Sequence, residues 1–189
     1  MDPPAQDCAF DHVAIATRDL DEGAECLRAR LGVAPEPGGK HPQMGTQNRL
    51  LSLGPGEYLE LIAIDPAAPA PDRPRWFGLD GFDGPPRVAG WVIRQSRLTA
   101  PRGTTILAAS RGGLRWRITV PDGGQMPYDG AAPMRIDWGG GPHPSDTLPD
   151  HGIRLARLSL PIDLPVADPR LSRGPFSLRL ATPQGEVRL

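Results

Sequence analysis

The sequence has few cysteines and lacks a long apolar run. The two cysteines among 189 residues are too few for a disulfide framework and lack metal-type spacing, so we expect free thiols in a reducing compartment. No apolar stretch approaches the ~20 residues that cross a bilayer. The acidic, proline-rich start MDPPAQD is unlike a secretory or transit segment. These absences together predict a cytoplasmic protein.

Lysine and aromatic residues are also scarce, and the charges of both signs nearly cancel. Lys40 is the only lysine among 21 basic residues, and the formal net charge of -1 builds no field for nucleic acid or a membrane surface. Aromatic residues make up 5% of the chain and offer no stacking platform for bases. We therefore expect a small-molecule ligand or substrate, no nucleic acid and no membrane partner. The sequence leaves open whether the protein forms a homodimer.

Glycine and proline are abundant, which favours short strands and long turns over a helical bundle. One helix is predicted over 20–31, where apolar residues recur at helical spacing. Asp19 or Asp21 can cap its start, and Gly32 can end it. Alternating or β-rich segments predict the strands, at 10–17, 46–54, 56–65, 88–95, 104–110, 114–120, 134–138, 153–160, 176–182 and 186–189.

A weak internal repeat divides the chain. The strand segments at 13–20 and 58–62 can be aligned with 91–98 and 135–139 at nearly the same offset. The repeat predicts two related modules, of which the second has its helix lost or reduced. The predicted divisions are a first module at 8–66, a proline-rich linker at 67–87, a second, degenerate module at 88–150 and a strand-rich C-terminal extension at 151–189.

Two polar residues interrupt strands that otherwise resemble buried ones. In FDHVAIA, alternation places His12 on one face with Phe10 and Ala14, and in EYLELIAI it places Glu60 between two leucines of the opposite face. A buried imidazole or carboxylate costs free energy unless it has a polar partner. If both side chains face one cavity, His12 and Glu60 can be each other's partner. The alternative is a satisfied polar core, in which the two bond each other or an arginine.

Six motifs resemble the glyoxalase-like domain proteins of the vicinal oxygen chelate (glyoxalase/bleomycin resistance/dioxygenase) superfamily. They are FDHVAIATRDLDEG, GGKHPQMGTQNRLLSLGPGEYLELIAID, GWVIR, LRWRI, PMRIDW and HPSD. The resemblance implies an α+β fold in which paired βαβββ modules form a cupped, barrel-like, mostly antiparallel sheet around a cavity. It also implies a glyoxalase-like enzyme of unknown substrate, with metal-assisted lyase, isomerase or dioxygenase chemistry on a small oxygenated molecule.

The resemblance further suggests a set of metal ligands. The superfamily positions fall on His12, Glu60 and Asp137, with Gly90 at the fourth, so that water, a substrate oxygen or a loop histidine would have to complete the set. An imidazole with two carboxylates suits a divalent metal such as Fe, Mn, Ni, Co or Zn, and Glu60 is also the candidate catalytic base. Gly90 favours the alternative, a non-catalytic small-molecule binding or sequestering protein without metal.

Several other polar residues are candidates for substrate binding. They are His41, Thr46, Asn48, Arg115, Arg117 and His143. The two arginines share a strand face and would form a fork for carboxylate or phosphate if that face lines the cavity; otherwise they are ordinary surface charge. The segment GTQN can equally complete a turn, and Asp137 can simply pair with Arg135 on its own strand face. HPSD is either a lid over the cavity or a surface turn.

Overall fold

A computed structural model describes residues 8–189, so the expectation made on MDPPAQD lies outside the described residues. Eight strands form one sheet in the order β2-β3-β4-β1-β5-β8-β7-β6. Its elements are β1 (Cys8–Ala16), α1 (Leu20–Leu31), β2 (Glu36–His41), β3 (Thr46–Gly54), β4 (Glu57–Ile64), β5 (Arg87–Gln95), β6 (Thr104–Arg111), β7 (Leu114–Pro121) and β8 (Met134–Asp137).

The two halves of this sheet repeat the same arrangement. From edge to centre, β2-β3-β4-β1 corresponds to β6-β7-β8-β5. In each half the innermost pair is parallel, β1 with β4 and β5 with β8, while the other pairs are antiparallel. The predicted α+β fold of paired modules is thereby confirmed, and within the described chain no helix lies between β5 and β6. The divisions at 8–66, 67–87, 88–150 and 151–189 stay our proposal.

Helix α1 begins and ends at the residues that the sequence predicts. The Asp19 carboxylate accepts hydrogen bonds from two N–H groups of the first turn, at 2.8 and 2.9 Å. Gly32 ends the helix with φ 79, a left-handed conformation that glycine adopts without strain. Leu27 and Leu31 are buried and face the sheet. No helix of the described part of the chain is long and apolar enough to cross a membrane.

A second sheet and α1 cover the outer face of the large sheet. The second sheet has the order β10-β9-β11-β12, formed by β9 (Arg154–Leu160), β10 (Leu171–Arg173), β11 (Ser177–Thr182) and β12 (Gly185–Arg188). One apolar cluster joins residues of β1, α1, β3, β4 and β5 to residues of β9, β10 and β11. The 151–189 extension therefore shares a core with the large sheet.

The inner, concave face of the large sheet, which we call the cup, is partly filled from the segment expected to be a linker. A 3₁₀ segment at Trp76–Gly81 buries Trp76 and Phe77 on this face. Phe77 has φ 56, a left-handed conformation that costs a bulky residue free energy and persists only where tertiary contacts impose it. β2 is the strand that a βαβββ module places between α1 and β3, although no segment pattern located it, and β10 was not predicted.

The shared core predicts that a cavity in the second sheet also destabilises the large one. Replacing the fully buried Leu158 by Ala should lower the free energy of unfolding by about 2–5 kcal/mol, because buried methyl groups are lost and a cavity remains. All tryptophans lie outside 151–189, so tryptophan fluorescence in a urea titration reports on the large sheet.

The neighbouring exposed Arg157 provides the control, since Arg157→Ala should change the unfolding free energy by no more than about 0.5 kcal/mol. A fluorescence transition that does not move in Leu158→Ala would show that the two sheets unfold separately.

Candidate functional site

A bulge in β1 turns two consecutive polar side chains toward the cup. The pairing of β1 with β5 shifts register between Phe10 and His12, and the extra residue is Asp11. Phe10 consequently packs in the outer apolar cluster, whereas His12 lines the cavity inside the cup. The prediction that Phe10 shares the face of His12 is wrong, because simple alternation does not survive a bulge.

The carboxylate of Asp11 is fully buried and surrounded by donors. Oδ1 lies 2.7 Å from Nδ1 of His12, and Oδ2 accepts from Trp138 Nε1 at 3.1 Å and Arg94 Nη1 at 3.3 Å. Nε2 of His143 lies 3.4 Å from the same Oδ2. Burial alone would raise the pKa of Asp11, but the imidazoles of His12 and His143 hold it far below its ordinary value. Asp11 is therefore ionised, and His12 Nδ1 carries the proton between them.

Glu60 faces His12 across the cavity. The parallel pairing of β1 with β4 brings Tyr58 beside His12, and Glu60 Oε2 lies 3.7 Å from His12 Nε2. Glu60 Oε1 accepts a 2.5 Å hydrogen bond from Nδ2 of Asn48. His12 is 2% and Glu60 6% exposed, so both groups are largely removed from water. One oxygen of Glu60 is thus fixed by an amide while the other points toward the imidazole.

A glycine pair in β2 orients Asn48. Its Oδ1 accepts a hydrogen bond from the Gly39 N–H at 2.9 Å, where the pairing of β2 with β3 is irregular. A Cβ atom on Gly38 would lie 2.2 Å from Asn48 Oδ1 and 2.7 Å from its backbone oxygen. The β2 backbone therefore approaches Asn48 so closely that only glycine fits, and this contact leaves the Asn48 amide nitrogen facing Glu60.

His41, the last residue of β2, lies beside Asn48. Nδ1 is 3.1 Å from Oγ1 of Thr46, and Nε2 is 3.4 Å from both Asn48 Nδ2 and Arg111 Nη1. Burial lowers the pKa of His41 to about 4; the Glu60 charge opposes this shift and the Arg111 charge adds to it. His41 is therefore neutral near pH 7.

Aromatic rings reduce the cup to a small internal cavity. The His12 ring stacks on Tyr58 at 4.3 Å between centroids, and burial, with the charges of Asp11 and Glu60, raises the pKa of Tyr58 well above its ordinary value. The remaining space is about 20 Å³, enough for roughly one water molecule. It is lined by His12, His41, Tyr58, Glu60, Trp76, Phe77, Arg111, Trp116, Ile118, Ile136 and Trp138.

The HPSD segment docks at the rim of the cup. The backbone N–H of Ser145 donates to His143 Nδ1 at 3.2 Å, and Ser145 Oγ accepts from the Gly56 N–H at 2.9 Å. The His143 ring packs edge-on against Tyr58 and Trp138, with centroids 5.4 and 5.1 Å apart. In this position the segment helps to enclose the buried carboxylate beneath it.

Asp137 does not join His12 and Glu60. Its Oδ2 accepts from Arg117 Nη2 at 2.5 Å, and its Oδ1 accepts from the Gly139 N–H at 2.8 Å. Burial would raise the pKa of Asp137, but the Arg117 hydrogen bond brings it below its ordinary value. The expected alternative, a contact with an arginine, is observed, although the partner lies on β7 rather than on the same strand.

The two arginines of β7 lie outside the cup. Trp116 and Ile118 belong to the apolar cluster of the cup, so Arg115 and Arg117 occupy the opposite face of the strand and are exposed. Both line a surface groove of about 640 Å³ together with Asp137. A ligand held by these arginines would lie in that groove and not in the cavity of His12 and Glu60.

The side chains present do not fit the divalent metal that the resemblance implies. A Cβ atom on Gly90 would lie 2.9 Å from Cε of Met126, so apolar groups occupy the space of the fourth ligand. Asp137 is paired with Arg117 outside the cavity. Within residues 8–189, no three His, Cys, Asp or Glu side chains are grouped to hold a metal ion. His12 and Glu60 remain as two expected donors without a third.

Sequence reasoning did not single out Asp11, Tyr58 or Arg111. A signal for Asp11 exists: an Asp-His pair inside an apolar strand requires a bulge if both side chains are to avoid the apolar face. Arg111 has no local signal, because its position depends on the approach of two strands distant in sequence.

Three comparisons relate the chain to known proteins. A family model described as a glyoxalase-like domain matches residues 10–167. Comparison with curated proteins gives no match. Methylmalonyl-CoA epimerase from Mycobacterium tuberculosis superimposes with a TM-score of 0.45 at 22% identity, covering 70% of this chain and 88% of that one. A hypothetical protein from Staphylococcus aureus gives 0.52 at 11% identity, covering 96% and 84%.

The close contact at Gly38 predicts a cost for any side chain there. Gly38→Ala should lower the unfolding free energy by about 1–3 kcal/mol, because the new methyl group overlaps Asn48 and its backbone. Gly113→Ala is the matched control, since nothing lies within 4 Å of its Cβ position. Urea unfolding measures both variants, and equal losses would contradict the role assigned to the glycine pair.

The lowered pKa of His41 predicts that acid destabilises the fold before carboxylates titrate. The unfolded chain protonates His41 near pH 6.5 and the folded chain near 4, so the unfolded state holds more protons in this window and stability falls as pH falls. The loss should reach about 3 kcal/mol.

Urea unfolding at a series of pH values measures this loss. The difference between wild type and His41→Gln at each pH isolates the His41 contribution. A His41→Gln protein with the wild-type slope would overturn the assignment.

Proposed function

The chain belongs to the glyoxalase-like domain family, and on that premise we propose that it is an enzyme that moves a proton on a small oxygenated molecule. The chemistry is of the isomerase or lyase type. The observation that carries the proposal is the buried Glu60 carboxylate, which has one oxygen fixed by Asn48 and the other directed at His12 inside a cavity. A carboxylate oriented and withdrawn from water in this way is suited to act as a general base.

From the contacts around Glu60 we infer a path for the proton. When a substrate C–H bond next to a carbonyl breaks, its electron pair forms the C=C bond of an enolate, the carbonyl π pair moves to the oxygen, and the proton goes to Glu60 Oε2. His12 Nε2 lies 3.7 Å from that oxygen and can receive the proton in turn, because Nδ1 already donates to Asp11. The imidazolium so formed is stabilised by the ionised Asp11, as in other carboxylate–histidine pairs.

The resemblance adds a divalent ion, Fe, Mn, Ni, Co or Zn, to this expectation. His12 and Glu60 are the residues that would contact it, and such an ion would polarise a substrate oxygen. Because this chain offers no third grouped donor among residues 8–189, the steps above use only side chains of the protein. Dioxygenase chemistry requires a redox-active centre, and we propose no step of that kind.

Deuterium exchange tests the proposal whatever the product of the reaction is. Wild-type protein in D₂O is incubated with a panel of aldehydes, hydroxyketones, diols and catechols, and loss of substrate C–H signal is followed by proton NMR. At least one compound should exchange, and Glu60→Gln should slow that exchange at least ~100-fold.

Glu25→Gln is the control and should exchange at the wild-type rate, because Glu25 lies on the exposed face of α1. Each reaction is run with a chelator and with each added metal, so that a metal requirement is also measured. Exchange that persists unchanged in Glu60→Gln would exclude Glu60 as the base.

A non-catalytic binding protein is the second candidate, and the filled space at Gly90 favours it. Met126 and Phe77 occupy the position of the fourth ligand, so residues 8–189 contain no complete set of metal ligands. A binding protein would take up members of the same panel, detected by calorimetry, while the wild type exchanges none of them.

A further inference from the structure

We propose that Arg111 is an anion-binding residue of the cup, and that the ligand is a small carboxylate whose neighbouring carbon bears an oxygen. This class includes 2-hydroxy acids and 2-oxo acids. The inference rests on the proposed function of the same cup and names its substrate class.

The two edge strands of the sheet hold Arg111 in place. Arg111 ends β6, and the opposite edge strand β2 passes so close that a Cβ atom on Gly39 would lie 2.5 Å from Arg111 Cδ and 2.8 Å from Cγ. The aliphatic part of the side chain therefore crosses the gap between the two edges over a glycine. This packing directs the guanidinium toward the interior, where Nη1 lies 3.4 Å from His41 Nε2.

Arg111 forms no ion pair with a carboxylate of the described residues. Within the described residues its polar contact is His41, an imidazole, which never supplies a negative charge. The carboxylates of the cup and its rim contact other groups. Asp11 contacts His12 and Arg94. Glu60 contacts Asn48 and His12, and Asp137 contacts Arg117. A half-buried guanidinium without a carboxylate leaves its donors available to an anionic ligand.

Arg111 lies where a ligand would pass from solvent to the base. It lines the internal cavity together with Glu60, and it also lines an outer groove of about 580 Å³. Glu60 and Arg111 are the acidic and the cationic residue of the cavity lining, so their charges divide the space into a proton-accepting and an anion-binding end. The internal space of about 20 Å³ is smaller than such a ligand, so the ligand must extend into the outer groove that Arg111 also lines, with its reacting carbon one or two bonds from the anionic group.

Matched pairs of small molecules test this assignment. Binding of glycolate, lactate and pyruvate is compared with that of glycolamide, lactamide and pyruvamide, by calorimetry and by quenching of tryptophan fluorescence. The wild type should bind at least one carboxylate at least tenfold more tightly than its amide. Arg111→Gln should abolish this preference.

Two further variants make the test specific. Arg111→Lys keeps the charge and loses the planar fork, so it should retain part of the preference. Arg157→Gln removes an exposed arginine of the second sheet and should retain all of it. Circular dichroism shows whether each variant is folded. Equal binding of carboxylate and amide by wild type, an unchanged preference in Arg111→Gln, or no binding of any pair would overturn the proposal.

The same variants separate this inference from the proposed function. A carboxylate preference that depends on Arg111, without deuterium exchange in any member of the panel, would support the anion site and refute proton transfer. Deuterium exchange that depends on Glu60, without a preference for carboxylates in binding, would support proton transfer and refute the anion site. Glu60→Gln should not weaken the carboxylate preference, because it leaves Arg111 in place and removes a negative charge from the same cavity lining.

Discussion

The burial of the Asp11 carboxylate is the constraint on which the site depends. An ionised carboxylate without water is stable only if donors surround it, and here they come from four separate parts of the chain: His12, Arg94, Trp138 and His143. The bulge of β1 exists because both Asp11 and His12 must avoid the apolar face. The same requirement brings HPSD over the rim and fixes the proton on Nδ1 of His12, which leaves Nε2 toward Glu60.

Local patterns sufficed for most of the fold. Helix α1 and most strands carry their own periodicity and caps, so their positions follow from the sequence alone. β2 does not, because EPGGKH alternates no apolar residues and becomes a strand only by pairing with β3. The prolines of 67–87 predicted a linker, but a 3₁₀ segment forms there and buries Trp76 and Phe77 in the cup, since large aromatic rings are costly to leave in water.

The sequence predicted the residues of the site that are brought together by pairing of adjacent strands. It did not predict which face of a strand points into the cup. His12 and Glu60 converge because alternation within β1 and β4 is correct near them and the two strands pair directly. Alternation along β8 correctly places Ile136 and Trp138 on one face and Asp137 on the other. The sequence of a single strand does not show which of the two faces points into the cup. That face is apolar in the second half of the sheet, which turns Asp137 outward.

The two related halves have therefore taken different parts in one cavity. The first half supplies the acid–base groups His12 and Glu60, and the second supplies aromatic walls and the cation of Arg111. Where the repeat would place a fourth ligand, at Gly90, the side chain of Met126 lies instead. Filling that position removes a donor and lowers the local polarity, and a lower polarity strengthens the interaction between the remaining imidazole and carboxylate. The change that removes a metal ligand thus strengthens the imidazole–carboxylate contact at the same place.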